Sequence, residues 1–157
     1  MTLVSKTFEL YGKTYTFESG ELAKQATGAC LVKQGDTTML DTVVVSKERK
    51  NYDFPLTVDF NEKMYAAGRI PGGYLKREGR PSEKATLTAR MIDRPIRPSF
   101  PDGFRNEVHI VATSLVADQV NPFDVINVMG ASLAMTLGGV PFEGPLACVR
   151  IGRNVET

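Results

Sequence analysis

The sequence is poor in the residues that most often mark a membrane, redox or metal protein. It has no tryptophan, one histidine and two cysteines in 157 residues, and no run approaching the roughly 20 apolar residues of a membrane span. Residues 1–17 lack the apolar core of a secretory signal, which predicts a cytoplasmic protein that does not enter a membrane. Cys30 and Cys148 have no Cys or His at ligand spacing, so we interpret both as small apolar residues.

Candidate acid–base and metal-binding groups are also few. The single histidine, His109, lies in an alternating stretch typical of a strand, and we interpret it as a packed or surface residue. Asp53 and Asp59 would lie about 20 Å apart along a strand, which is too far to share one ion. The sequence therefore predicts no catalytic residue and no metal ligand in this chain.

The charge is unevenly distributed along the chain. The whole sequence carries a net charge of +1, but residues 63–105 contain ten basic and four acidic residues, a net of +6. The remaining nine basic and fourteen acidic residues give −5. A locally positive segment in an otherwise acidic protein attracts phosphate groups, so residues 63–105 are the predicted location of a polyanion-binding site.

The pattern of apolar residues predicts an α+β fold in a single domain, residues 1–157. The first 60 residues alternate as strands of an antiparallel meander, with turns at Tyr11-Gly12-Lys13 and Gly35-Asp36 and a further strand near Val58. An α-β-α-β order follows: a helix that begins after Ser82 and ends before Pro95, and a strand at 106–118. The next helix is capped by Asn121 with Pro122 at its first position, and the last strand is 144–152. The chain stops just after that strand, which we interpret as a truncated domain.

The basic segment opens with a loop, residues 68–84, that is rich in glycine and proline. Neither the P-loop nor the dinucleotide-binding glycine pattern is present in it. Its middle reads Tyr74-Leu75-Lys76-Arg77, and an aromatic ring beside cations suits single-stranded nucleic acid, because rings stack on bases and cations follow phosphates. The alternative is a solvated loop whose Tyr74 and Leu75 pack into the core.

Three arginines follow on the predicted helix. Arg90, Arg94 and Arg97 have the spacing of one helical face, provided that the last turn continues past Pro95. Guanidinium groups on one face repel each other unless an anion lies between them, and a phosphodiester is a suitable anion. The alternative is that Asp93 pairs with Arg90 or Arg97.

Taken together, these segments resemble a known family. The motifs GRIPGG, REGRPSE and IDRPIRP, at these spacings, closely resemble the N-terminal part of the bacterial polynucleotide phosphorylases (polyribonucleotide nucleotidyltransferases), and the resemblance extends over essentially the whole chain. It implies a ribonuclease-PH-like fold. It also implies a magnesium-dependent, homotrimeric exoribonuclease that degrades mRNA from the 3′ end with inorganic phosphate and releases nucleoside diphosphates. Only the first ribonuclease-PH-like half is represented here.

The resemblance also implies which residues contact RNA. In the family, a loop of two aromatics and two arginines guides RNA, and here it reads Tyr74, Leu75, Lys76 and Arg77. Arg80, Arg94 and Arg97 match family arginines that face the RNA path or the neighbouring active half. The family's phosphate-binding serines and metal-binding aspartates belong to the second half, so Ser132 is expected to be a helix-packing residue and the magnesium ligands to lie outside this segment.

Two other functions remain open from the sequence. One is a free-standing enzyme of the ribonuclease PH or archaeal exosome type, which would need a serine pair and an aspartate pair that this chain lacks. The other is an RNA-binding or scaffold module without catalysis.

Overall fold

Six strands and two α-helices are found in residues 2–51 and 55–154, the parts of the chain that the computed structural model describes. Two short 3₁₀ turns, Met64–Ala67 and Arg97–Ser99, flank the first helix and its loop. The strands are β1 (Val4–Leu10), β2 (Lys13–Ser19), β3 (Gly28–Gln34), β4 (Thr37–Arg49), β5 (Leu56–Asn61) and β6 (Asn106–Val116), and the helices are α1 (Glu83–Ile96) and α2 (Phe123–Leu137).

The predicted antiparallel meander is confirmed for the first four strands. β1 to β4 pair in chain order, and the hairpins close at the two turns expected from the sequence. Tyr11 and Gly12 both have positive φ angles, 50° and 71°, as a two-residue turn of type I′ requires.

The extension of the meander to β5 is wrong. The strand order is β1-β2-β3-β4-β6-β5, and β5 lies at the sheet edge, parallel to β6. Parallel neighbours need a long crossover connection, and residues 62–105, which contain the loop and α1, supply it. The basic segment is therefore the crossover between two neighbouring strands.

The core lies between the sheet and the two helices. Alternate residues of β3 and β4 are buried, among them Val32, Met39 and Val43, and α2 packs on this face. The sheet and α2 approach each other closely at Gly28, where a Cβ atom would lie 2.1 Å from the carbonyl oxygen of Ala134. Glycine is required there because any side chain would collide with the backbone of α2.

A buried carboxyl group lies in this core. Asp41 of β4 is fully buried beneath α2, and neither of its side-chain oxygens has a hydrogen-bond partner among the described residues. The side-chain amide of Asn127 is also buried, and its nitrogen and oxygen have no hydrogen-bond partner among the described residues. Burial raises the pKa of Asp41 well above its usual range. Burial, and next the Asp41 charge, raise the pKa of the Cys30 thiol on the neighbouring strand to about 12.

The start of α1 is as predicted, but its end is not. The Ser82 hydroxyl accepts a hydrogen bond from the Ala85 N–H at 3.0 Å, which makes Ser82 the N-cap. The helix does not stop before Pro95 but runs through it to Ile96. Pro95 lies in the last turn, where its missing N–H costs one hydrogen bond, and the Arg97 N–H bonds to the Asp93 carbonyl and closes the turn.

The start of α2 differs from the prediction. Pro122 is the N-cap rather than the first helical residue, and Asn121 does not cap the helix. The Asn121 amide instead donates to Asp118, whose carboxylate also accepts from the Thr37 hydroxyl and the Val120 N–H. Hydrogen bonds to the carboxylate, first that from the Asn121 backbone N–H, hold the pKa of Asp118 well below its usual range.

The predicted strand at 144–152 is not formed. This stretch has no regular secondary structure and runs back along α2, where the Leu146 N–H donates to the Ser132 hydroxyl at 2.7 Å and Arg150 pairs with Asp124. Leu146 and Cys148 are partly buried against the core, and none of these residues pairs with a strand of the sheet. The α-β-α-β order is therefore α-β-α in the described residues.

Candidate nucleic-acid interface

The loop begins at a short 3₁₀ turn fixed to one end of the sheet. The Ala117 N–H, just after β6, donates to the carbonyl of Ala66 at 2.9 Å. The turn ends at Gly68, which has a positive φ of 66° and donates to the carbonyl of Tyr65. The loop therefore leaves the sheet at the end where β6 and β3 finish and α2 begins.

The tip of the loop lies in solvent. Tyr74 is 99% exposed and Leu75 is 73% exposed, so the alternative in which they pack into the core is excluded. A tight turn forms the tip, in which the Lys76 N–H donates to the Gly73 carbonyl at 3.0 Å and Lys76 has a φ of 49°. The ring and the two cations of Lys76 and Arg77 are thus available to a ligand.

Two carboxylates tie the end of the loop to the body of the protein. Glu78 Oε1 accepts a hydrogen bond from the Met64 N–H at 2.9 Å, at the start of the 3₁₀ turn. Glu62 Oε2 accepts from the Ser82 hydroxyl at 3.2 Å, and the same hydroxyl caps α1. The base of the loop is fixed at both sides while its tip is free of contacts with the core.

A groove of about 350 Å³ lies between the loop and the end of β5. Its floor is apolar, from Phe60 and Ala85, and three cations stand on its walls. These cations are Lys63, Arg77 and Arg80. On the other side of the 3₁₀ turn a second groove, of about 480 Å³, is lined by Arg69, Lys84 and Arg150 together with the first residue of α2.

The predicted arginines of α1 lie away from the loop. Arg94 is twelve residues after Ser82, which corresponds to about 18 Å along the helix axis. Arg97 holds Asp93 through two hydrogen bonds, at 2.6 and 3.1 Å, and also donates to the carbonyl of Leu56. The alternative of an Asp93 pair is therefore realised for Arg97. The predicted residues form two groups, a loop group and a helix-end group, and one phosphate cannot contact both.

Sequence reasoning missed several residues of this surface. Lys63 lines the groove, and Glu62 and Glu78 anchor the loop. The charge count treated Lys63 and Glu78 only as parts of a sum, and its window, residues 63–105, did not include Glu62. The local sequence carries no signal for Glu78, because the Met64 N–H that it binds lies 14 residues away in the chain.

The other candidate residues have structural contacts. His109 Nε2 and Asp59 Oδ2 lie 2.8 Å apart on the open face of the sheet, while Asp53 lies outside the described residues. Ser132 is buried and binds Leu146, which agrees with a packing role. In residues 2–51 and 55–154, no three His, Cys, Asp or Glu side chains come together as a metal site, and no helix is long and apolar enough to cross a membrane.

Comparison with known proteins identifies the family. Residues 12–141 match the model of domain 1 of the 3′ exoribonuclease family, which covers most of the chain. The chain belongs to this family. The fold described above, a mixed sheet with two helices, is thus the ribonuclease-PH-like fold that the sequence motifs predicted.

Individual members of the family are closely similar. The polyribonucleotide nucleotidyltransferase of Exiguobacterium sibiricum is 54% identical over 156 residues, which cover 98% of this chain and 21% of that protein. The enzyme of the same name from Natranaerobius thermophilus is 56% identical over 148 residues, covering 92% and 20%. The chain therefore spans about a fifth of the length of these curated relatives.

Two solved structures share the fold at low sequence identity. The Archaeoglobus fulgidus exosome with RNA bound to the active site has a chain that matches with a TM-score of 0.60 and 19% identity, over 87% of this chain and 51% of that one. Rice Rrp46 matches with a TM-score of 0.61 and 13% identity, over 80% and 55%.

Proposed function

We propose that this chain is the first ribonuclease-PH-like domain of a phosphate-dependent 3′-to-5′ exoribonuclease, and that it guides single-stranded RNA. The observation that carries the proposal is the loop tip, where an almost fully exposed Tyr74 stands beside Lys76 and Arg77. The family membership supports the reaction class, and the relatives' name, polyribonucleotide nucleotidyltransferase, supports RNA as the substrate.

The loop residues contribute by different physical means. Lys76, Arg77 and Arg80 neutralise backbone phosphates, and this interaction does not depend on base sequence. Tyr74 offers a ring on which any base can stack. Leu75 offers only apolar contact, and Lys76 lacks the planar fork with which arginine binds phosphate at two points.

The helix-end group contributes a more distant contact. Arg94 is exposed and has no partner among the described residues, so its guanidinium is available for a phosphate further along the strand. Arg97 must share its guanidinium with Asp93, so we expect a smaller contribution from Arg97 than from Arg94.

Catalysis, the metal and the trimer belong to the whole protein in this proposal. A homotrimeric, cytoplasmic enzyme would use inorganic phosphate and Mg²⁺, and the described residues of this chain offer no cluster that fits the ion. The chain alone should release no nucleoside diphosphate from RNA and phosphate. Phosphate-dependent release that disappears in Ser132→Ala would favour the free-standing enzyme instead.

Fluorescence anisotropy with a short oligoribonucleotide across a salt series tests the RNA site. If about four phosphates are neutralised, the slope of log affinity against log salt is about −2.8, and affinity falls about 50-fold between 50 and 200 mM salt. Replacing Lys76 and Arg77 together by Ala should reduce the slope by about 1.4, because two phosphate contacts are lost.

Two further variants separate the guide from a general charge effect. Tyr74→Ala should weaken binding by the roughly 1–3 kcal/mol of one stacked base and leave the slope unchanged. Lys24→Ala removes a cation from the connection before β3, at the opposite end of the sheet, and should change neither quantity. A double variant of Lys76 and Arg77 with the parent slope would show that the loop does not guide RNA in this chain.

A further inference from the structure

Two acidic residues lie where a polyanion-binding surface should have none. Glu62 and Glu78 line the same groove as Lys63, Arg77 and Arg80, and their charges would repel an RNA phosphate. Each of them, however, has one carboxylate oxygen engaged with the protein itself. Their contacts suggest a role in the shape of the loop rather than in contact with the ligand.

Glu78 closes the loop against the turn from which the loop starts. The Met64 N–H is at the first residue of the 3₁₀ turn, where a backbone donor has no partner within the turn. The Glu78 carboxylate accepts this hydrogen at 2.9 Å and so joins residue 78 to residue 64. The segment between them contains the entire tip.

Glu62 forms the second tether through a shared hydroxyl. Ser82 Oγ donates its hydrogen to Glu62 Oε2 at 3.2 Å and accepts one from the Ala85 N–H at 3.0 Å. One hydroxyl therefore connects the residue after β5, the end of the loop and the first turn of α1. Without this contact the loop end would be held by the helix cap alone.

We propose that Glu78, supported by Glu62, is a positioning residue that holds the 68–81 loop in the conformation that presents Tyr74, Lys76 and Arg77 to RNA. This rests on the proposed function. Residues 72–80 are exposed throughout, so little else restrains them. A loop that is already ordered loses less conformational entropy on binding, and removing the tether transfers that ordering cost to the binding step.

A matched pair of substitutions isolates the hydrogen bond from the charge. Glu78→Gln and Glu78→Ala both remove the negative charge that repels RNA, but only Gln retains an Oε1 acceptor for the Met64 N–H. We expect the Ala variant to bind a single-stranded oligoribonucleotide about 3- to 10-fold more weakly than the Gln variant at one salt concentration. Their salt slopes should be equal, because no phosphate contact differs between them.

Limited trypsin digestion without RNA provides an independent measure of loop order. Cleavage after Lys76 and Arg77 should be faster in Glu78→Ala than in Glu78→Gln, because proteolysis requires the loop to adapt to the protease. Both variants present an uncharged residue directly after Arg77, so the charge next to the cleaved bond is the same in the two. Glu62→Ala and Glu62→Gln repeat the comparison at the second tether.

The outcomes distinguish the proposal from its premise. Equal RNA affinity and equal cleavage in the Gln and Ala variants would overturn the tether. Faster cleavage in the Ala variant with unchanged RNA affinity would reject its role in RNA binding. If the double variant of Lys76 and Arg77 has the same salt slope as the parent, the proposed function fails. The difference in trypsin cleavage between the Glu78 variants would still show whether the tether orders the loop.

Discussion

The buried carboxyl of Asp41 should make the protein less stable as the pH rises from weakly acidic to neutral. Burial raises the pKa of Asp41 well above its usual range, so the folded protein keeps a proton that the unfolded chain releases above about pH 4. The unfolded chain then binds fewer protons than the folded one. The free energy of unfolding therefore falls with rising pH until the folded-state pKa is reached.

The size of this effect follows from the linkage relation. While Asp41 stays protonated in the fold, each pH unit lowers the free energy of unfolding by about 1.4 kcal/mol. Between pH 5 and pH 7 the loss amounts to at most about 2.7 kcal/mol. Domains of this kind are stable by only about 5–15 kcal/mol, so the loss is a large fraction of the total.

Asp41→Asn is the variant that removes the titration and little else. Asparagine has nearly the same shape as aspartate. The match in shape is needed because the Asp41 carboxyl packs tightly against α2: a Cβ atom added at Gly130 of that helix would lie only 2.0 Å from Asp41 Oδ2. The Cys30 thiol, with its pKa at about 12, does not titrate in this range.

Urea unfolding at pH 5, 6 and 7 measures the effect, followed by circular dichroism because the chain has no tryptophan. The free energy of unfolding of Asp41→Asn, relative to the parent, should rise by up to about 2.7 kcal/mol across this range. A change below about 0.5 kcal/mol, with equal m-values, would mean that Asp41 is ionised in the fold and the reasoning is wrong.

Two further predictions concern close contacts of α2 and its preceding loop. Gly28→Ala should destabilise the fold by about 1–3 kcal/mol in the same urea assay, because its Cβ would meet the α2 backbone, whereas Gly72→Ala has open space around it and should be nearly neutral. Equal midpoints for the two variants would contradict this. Asp118, whose pKa is lowered, contributes stability that is present above about pH 4 and lost as the pH falls below it. Asp118→Asn should therefore lose less stability than the parent between pH 5 and pH 3, and parallel pH profiles would refute it.

The parts of the fold that the sequence predicted well depend on local chemistry. Ser82 caps α1 with its own side chain three residues away, and Tyr11-Gly12 forms its turn from its own backbone preferences. The glycines and prolines predicted the loop itself, but the sequence left open whether Tyr74 is exposed or packed into the core, and the structure excludes the packed alternative.

The errors arose where distant residues decide the outcome. An alternating strand such as β5 carries no signal for its partner, and its parallel pairing with β6 depends on the crossover between them. Residues 144–152 had the apolar pattern of a strand but contact α2 instead. Nothing in the local sequence around Asp41 predicted that its carboxyl would lie beneath the helix without a partner.

The distance between the loop and the two arginines, Arg94 and Arg97, could not be predicted from helical periodicity alone. Helical periodicity placed the arginines correctly on one side, but the distance along the axis, and the pairing of Arg97 with Asp93, depend on where α1 begins and ends. The predicted RNA-binding residues therefore fall into a loop group and a helix-end group, and their contacts with RNA stay a prediction.

The position of the loop within the crossover affects how the molecule can be rebuilt. Residues 70–77 take no part in the strand pairing of the sheet. The two ends of the loop are anchored by the Glu78 and Glu62 hydrogen bonds, which do not involve the tip. The tip is thus a site at which we expect the chain to tolerate circular permutation, an insertion or a replaced sequence while the register of β5 on β6 is preserved. Residues at the tip can therefore be changed with little effect on the packing of the sheet and helices beneath it.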